Sequence, residues 1–267
     1  MIRQPAVAGS FYAADQKGLN RELDQIVPVG IDTRPAKGII VPHAGYIYSG
    51  AVAGEIIAAT AIPQTVVLLG PNHHGRGAEI AVSAADGWST PLGVVPVDVQ
   101  LKKSMCDFIA ELKVDEQAHQ LEHSLEVMLP FLLRQRPDVR IVPIALRSLN
   151  YEQAAQFGSS LAEVLKQHGE DVLLLASSDM NHFLDADTTE SLDFMAISAM
   201  TSFEPKELYQ TVVRNRISMC GMLPAVVVMH ATKVLGASEC QLVRYAHSGQ
   251  VNSDNSRVVG YASLSIT

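Results

Sequence analysis

A mostly parallel β-sheet held between layers of α-helix is the architecture this sequence predicts, and three features point to it. Short apolar runs of strand length alternate with helix-length amphipathic segments, the pattern of an α/β fold. The chain has 267 residues, 48% hydrophobic and 18% charged, which suffices for a substantial core. No internal repeat, low-complexity tract or linker rich in Gly, Ser or Pro divides it, so one domain over residues 1–267 is expected.

Taken in order, the apolar runs Gly38–Val41 and Thr65–Leu69 read as buried strands, with a helix over Ser49–Ala61 between them. Strands at Glu79–Val82 and Val94–Val97 precede a helix over Val99–Leu112. In residues 121–133, Leu121, Leu125, Met128, Leu129 and Leu132 recur with helical spacing, which predicts a helix over Leu121–Leu133. Strand Val139–Ala145, helix Tyr151–His168 (ended by Gly169) and strand Val172–Ala176 follow. Helices over Thr188–Ser202, Pro205–Arg216 and Leu223–Leu235 come next, the last with Pro224 near its first turn. The final strands, Gln241–Tyr245 and Val258–Ser263, are joined too briefly for a crossover helix, so antiparallel edges are expected and the sheet is mixed.

Composition excludes several function classes. A net charge of −8 with no Lys/Arg cluster leaves no footprint for nucleic acid. The longest apolar stretches, such as Ala225–Met229, fall far short of the ~18 residues of a membrane span. The opening MIRQPAVAGSFYAADQ lacks a secretory apolar segment and carries Asp15, and three scattered cysteines make no CxxC spacing. A reduced, cytoplasmic protein is expected.

Three strands run into histidine-bearing turns: Gly38–Val41 into PHAGY (42–46), Thr65–Leu69 into PNHH (71–74), and Val172–Ala176 into SSDMNHF (177–183). In open α/β sheets the ligand crevice lies at the carboxyl ends of the strands. His43, one of His73 and His74, and Asp179 with His182 can therefore reach one crevice, although a single histidine after a strand is ordinarily a turn residue. Adjacent side chains diverge, and the residues alone leave His73 and His74 equivalent. In ISMCGMLP (217–224), Cys220 stands just before a helix, where the amino-terminal dipole favours a thiolate; the commoner fate of a cysteine is inert burial, the reading given to Cys106 and Cys240.

His119-Gln120-Leu121-Glu122-His123 fits the HxxEH pattern of inverted zinc peptidases. Three fixed positions in five are a weak signal. His119 sits in a stretch that reads as solvated, and His123 falls well off the apolar stripe of the expected helix, facing solvent or a polar cleft. His168 and His230 read as ordinary helix residues, and His247 is ambiguous.

Seven motifs in order, AVAGSFYAA, VPHAGYIYSG, LLGPNHHG, EHSLEVMLPFL, ASSDMNHF, ISMCGMLP and VVGYASL, span nearly the whole chain. Together they resemble the Memo family, known in prokaryotes as AmmeMemoRadiSam system protein B. The resemblance implies a fold like that of the class III extradiol dioxygenases, which cleave catechol rings with non-haem Fe(II). It implies metal ligands at His43, His73 and Cys220, and polar pocket residues at His123, Asp179 and His182 with catalytic roles. The dioxygenases use two histidines and a carboxylate, and the resemblance favours iron; a thiolate third ligand, softer and oxidisable, suits copper or zinc as well. The resemblance also implies a functional link with a radical-SAM protein. Three functions follow as expectations: a metal-dependent redox enzyme of dioxygenase type acting on an unknown small molecule, a binding or adaptor protein that kept the pocket, and a zinc hydrolase using metal-bound water.

Overall fold

The computed structural model describes all 267 residues. Strand β1 (Ile2–Arg3) and helix α1 (Gln16–Ile26) precede β2 (Gly38–Val41), α2 (Tyr46–Ala59), β3 (Thr65–Pro71) and β4 (Ile80–Val82). A hairpin of β5 (Gly87–Thr90) and β6 (Gly93–Pro96) leads to α3 (Val99–Phe108), β7 (Lys113–Val114) and α4 (Leu129–Gln135). The chain continues through β8 (Arg140–Leu146), α5 (Tyr151–His168), β9 (Val172–Ser177), β10 (His182–Leu184), α6 (Ala186–Thr201) and α7 (Pro205–Asn215). It ends with α8 (Met222–Val234), β11 (Cys240–His247), α9 (Gly249–Asn252) and β12 (Val258–Ile266).

The main sheet runs β10-β12-β2-β9-β3-β8-β4-β7, with β11 also on β12, and β1-β5-β6 form a small second sheet. Strands β2, β9, β3 and β8 are parallel neighbours, while β10, β11 and β12 are antiparallel at one side and β4 pairs antiparallel with β8 at the other. This is the mixed α/β sheet with antiparallel margins that the sequence predicts. Alternate residues of the central strands feed opposite cores, as the two-residue period requires. Ile40, Leu69 and Leu174 face α3, α5, α6, α7 and α8; Ile39, Leu68 and Leu175 face α1, α2 and α4. Because both faces are covered, β2 and β3 are buried at every position and read as unbroken apolar runs.

The expected helix over Leu121–Leu133 is a correction. Residues 119–125 are irregular, a 3₁₀ turn covers Glu126–Met128, and α4 begins only at Leu129. Pro130, lacking an N–H and restricting the residue before it, fits the first turn of a helix and no later one. Upstream, the Glu122 carbonyl accepts from the buried Arg3 guanidinium at 2.7 Å instead of from an amide a helical turn away, and the His119 carbonyl is shared between Arg3 (2.8 Å) and the Glu122 amide (3.2 Å). Helix α1 and the short strands β1, β5, β7 and β10 lie outside the predicted elements.

On α6, Asp193 is buried against β12, where a Cβ on Gly260 would stand 1.7 Å from its Oδ2. Its carboxylate accepts from the Asn181 amide (2.7 Å) and the Tyr245 hydroxyl (2.9 Å), yet burial outweighs both and pushes its pKa up to about 7. An acid with a higher pKa folded than unfolded takes up a proton on folding, so the native state loses stability as pH rises from about 4 towards about 7. Asp193→Asn removes that loss. Urea midpoints should show the variant gaining on the order of 1–3 kcal/mol relative to the parent between about pH 5 and about pH 8.

Candidate metal centre

The register of the central strands sets the site. Val41 at the end of β2 is level with Ser177 at the end of β9, and Leu69 of β3 is level with Ala176. Three neighbouring strands therefore deliver their turns to one place. Asp179, in the turn after β9, ties two of them together: its Oδ1 accepts the backbone amides of His43 (2.7 Å) and Ala44 (3.3 Å).

Hydrogen bonds fix which nitrogen each histidine offers. The Ser177 hydroxyl donates to the Ser124 carbonyl at 2.7 Å, so its oxygen accepts the Nδ1–H of His43 at 2.6 Å. His43 is thus left with an Nε2 lone pair. His73 has the same arrangement through Glu122, whose Oε1 lies 2.9 Å from Nδ1. Burial pushes the Glu122 carboxyl up, but the His73 hydrogen bond and the Ser124 amide outweigh it and hold the pKa down at about 2. The ionised carboxylate can only accept, so His73 donates through Nδ1 and also presents Nε2. Glu122 receives the amides of His73 (2.7 Å), His123 (3.0 Å) and Ser124 (2.9 Å) as well, which makes it the anchor of the loop. Such carboxylate–histidine pairs are the usual outer support of metal ligands.

The rings of His73 and His123 stack with centroids 4.7 Å apart, and one nitrogen each of His43, His73 and His123 lie within 4.8 Å of one another. Burial, with the neighbouring histidines acting in the same direction, holds His43 well below the usual histidine range, and burial lowers His123. Neutral imidazoles at close quarters are the form that binds a metal.

Cys220 approaches from the other side, its Sγ 3.2 Å from His43 Nε2. Because His43 Nε2 is an acceptor, the thiol donates to it, while the Asp179 amide donates to the sulfur at 3.3 Å. Burial pushes the pKa of the Cys220 thiol up, and the Asp179 charge adds to it. A close approach allows the arrangement, since a Cβ on Gly221 would stand 2.2 Å from the Ser177 carbonyl oxygen. Only glycine lets the start of α8 press Cys220 against the end of β9.

His182 is held by Ser218, whose hydroxyl oxygen accepts its amide at 2.7 Å and whose carbonyl accepts its Nδ1–H at 2.9 Å. Burial lowers its pKa, leaving a neutral ring with a free Nε2. His123, Asp179 and His182 line one cleft of about 430 Å³.

The remaining histidines separate from the cluster. His74 is exposed and gives Nε2–H to the Leu121 carbonyl at 2.9 Å, so His73 alone of the pair joins the donor group. His119, expected in a solvated stretch, is instead fully buried, edge-on to Trp88 at 5.6 Å and donating Nε2–H to the Ala81 carbonyl at 3.0 Å. The HxxEH pattern is split: Glu122 and His123 turn to the centre and His119 to the core. Glu122 is the residue that the sequence reading missed; its only signal was its place before His123.

A family model described as Memo-like protein matches residues 3–265. The chain belongs to the Memo family. A MEMO1 family protein of Aquifex aeolicus is 45% identical over 267 residues, covering 98% of each chain. One from Methanothermobacter thermautotrophicus is 38% identical over 277 residues, covering 99% of this chain and all of that one. The crystal structure of an uncharacterized Escherichia coli protein, JW3007, shares the fold with a TM-score of 0.60 at 15% identity, covering 86% of this chain and 99% of that one. No helix of this Memo-family protein is long and apolar enough to cross a membrane.

Two measurements test the geometry. His43→Ala should leave a folded protein stripped of metal, whereas His119→Ala should keep its metal but lose about 2–4 kcal/mol of stability through a cavity and an orphaned carbonyl. Gly221→Ala should lower metal retention at least tenfold with a native circular dichroism spectrum, because the added methyl must push Cys220 away from His43; full retention refutes the close-packing argument.

Proposed function

We propose that this Memo-family protein is a metal-dependent oxidoreductase of dioxygenase type acting on a small molecule in the cleft beside His182. The observation that carries the reading is the pair of histidines from the ends of β2 and β3, on either side of β9, each with Nδ1 engaged so that Nε2 is its remaining donor, and with a cysteine sulfur against His43 Nε2. His43, His73 and Cys220 would hold the ion, iron being favoured; copper suits the same mixed donor set. A bound ion of this kind supplies a Lewis acid and a one-electron redox partner. The chain's own residues do the rest. His182, neutral and oriented by Ser218, has Nε2 ready to take a proton from a substrate hydroxyl, and His123 can hold a second. Asp179 positions the His43 turn and packs against Cys220, while Glu122 orients His73.

A second reading has its own support. The three nitrogens of His43, His73 and His123 form a donor set by themselves, the kind that holds zinc for hydrolysis with Cys220 outside it.

Anaerobic purification followed by metal analysis, then oxygen uptake with a catechol panel, separates the two. Iron with uptake supports the oxidoreductase; zinc with ester turnover and no uptake supports the hydrolase. Cys220→Ser should cut metal affinity at least tenfold, with His123→Ala retaining the metal; the reverse order favours the three-nitrogen site. His182→Ala should keep the metal and lower turnover by about 10²–10⁴-fold.

A further inference from the structure

The wall of the cleft beside His182 carries features that proton transfer and metal binding leave unused. Arg257 lines it and is the sole lysine or arginine that does. Its guanidinium has no carboxylate partner and no hydrogen bond within the protein, as is true of several surface arginines such as Arg34 and Arg140, but Arg257 alone of them borders this cleft. Its one neighbour of note is the Phe183 ring, whose centroid lies 5.5 Å away. The single carboxylate of the cleft, Asp179, is turned to the His43 and Ala44 amides through Oδ1.

Phe183 is unusual twice over. It is 59% exposed, and its φ is +65°, a left-handed conformation that bulky residues rarely adopt. The cause is the irregular pairing of β10 with β12, where His182 pairs with Val259 but Leu184 with Val258. That bulge points His182 into the cleft and sets Phe183 over Arg257, which immediately precedes Val258. Exposing an aromatic ring and straining its backbone both oppose folding, and both are located where the ring and a free cation flank a cleft that Phe11 and Tyr48 also line.

We propose that the cleft takes a small arene bearing one negatively charged group, a carboxylate, with the ring against Phe183 and the carboxylate on Arg257. One unpaired guanidinium matches one planar carboxylate, which it can grip with two parallel hydrogen bonds. The aromatic wall matches a ring, and a cleft of about 430 Å³ is of small-molecule size. The assignment names the substrate class for the oxidoreductase read above and rests on that reading for its chemistry, but binding alone tests it.

Isothermal titration of the metal-loaded protein with 4-hydroxybenzoate, 4-hydroxybenzamide, acetate and phenyl phosphate reads the two contacts apart. The benzoate should bind at least tenfold more tightly than the uncharged benzamide, and acetate, an anion without a ring, should not bind measurably. Arg257→Gln should erase the benzoate preference, while Phe183→Ala should weaken benzoate and benzamide by a similar factor and leave their ratio intact. Both residues are exposed, and unchanged metal content and thermal midpoint verify each variant. Equal binding of benzoate and benzamide, or a preference surviving Arg257→Gln, overturns the proposal. Tighter binding of phenyl phosphate overturns the choice of a singly charged head group. A protein that binds benzoate in this way but consumes no oxygen with any catechol keeps the ligand class and loses the oxidoreductase reading.

Discussion

Parallel pairing of β2, β9 and β3 is the constraint on which the site depends. Backbone hydrogen bonds hold these strands in a fixed stagger, so their carboxyl ends finish at one level and their turns meet. Each strand is apolar on both faces, which leaves it no alternative register with a solvated side. A ligand set assembled this way takes its geometry from the most rigid part of the molecule, and the turns add only short polar segments. Asp179 and Ser177 then lock those segments to one another, so the imidazole of His43 has little freedom left.

The second support is a buried ionic assembly at the amino-terminal segment. Glu126 is fully buried and accepts from Arg3, the amides of Ala6 and Val7, and the Tyr12 hydroxyl. Arg3 also donates to the carbonyls of His119 and Glu122 and stacks over Trp88 at 4.1 Å. Burying two charges is tolerable when their hydrogen-bonding groups are used; here Glu126 accepts four bonds and Arg3 donates four of its five N–H groups, and removing one partner would strand the other. These bonds stitch residues 3–12 onto the irregular loop that carries Glu122 and His123. The loop is thus rigid without being helical, which suits a segment that must aim two adjacent side chains at one centre.

Much of this was legible in the sequence. Strand β2 and helix α5 have the predicted limits, because an apolar run bounded by turn residues and an amphipathic run ended by Gly169 leave few alternatives. The convergence of turns bearing His43, His73, Asp179 and His182 was legible too, since it follows from strand order at a sheet edge. What escaped were features set by partners distant in the chain. The helical spacing of Leu121, Leu125 and Leu129 is real, but Arg3, 119 residues away, claims the carbonyl of Glu122. His119 reads as polar among Asp115, Glu116 and Gln117, and only the tertiary fold puts it against Trp88. Glu122 looks like a peptidase base in a five-residue pattern, and its part in orienting His73 needs the β3 turn beside it. The strained backbone of Phe183 has no local cue, because the bulge depends on β12, far downstream.

The distance along the chain between the two halves of the site has a further consequence. His43 and the sulfur that touches it are 177 residues apart, and His73 and His123 come from two more stretches between them. No short piece of the polypeptide holds a usable donor set, so an emerging nascent chain has nothing with which to sequester an ion. Contacts of such long range close late in folding, after the central strands have paired. An ion held by this group would therefore serve as a certificate of completed folding: a chain whose central strands fail to pair has no assembled donor set to offer.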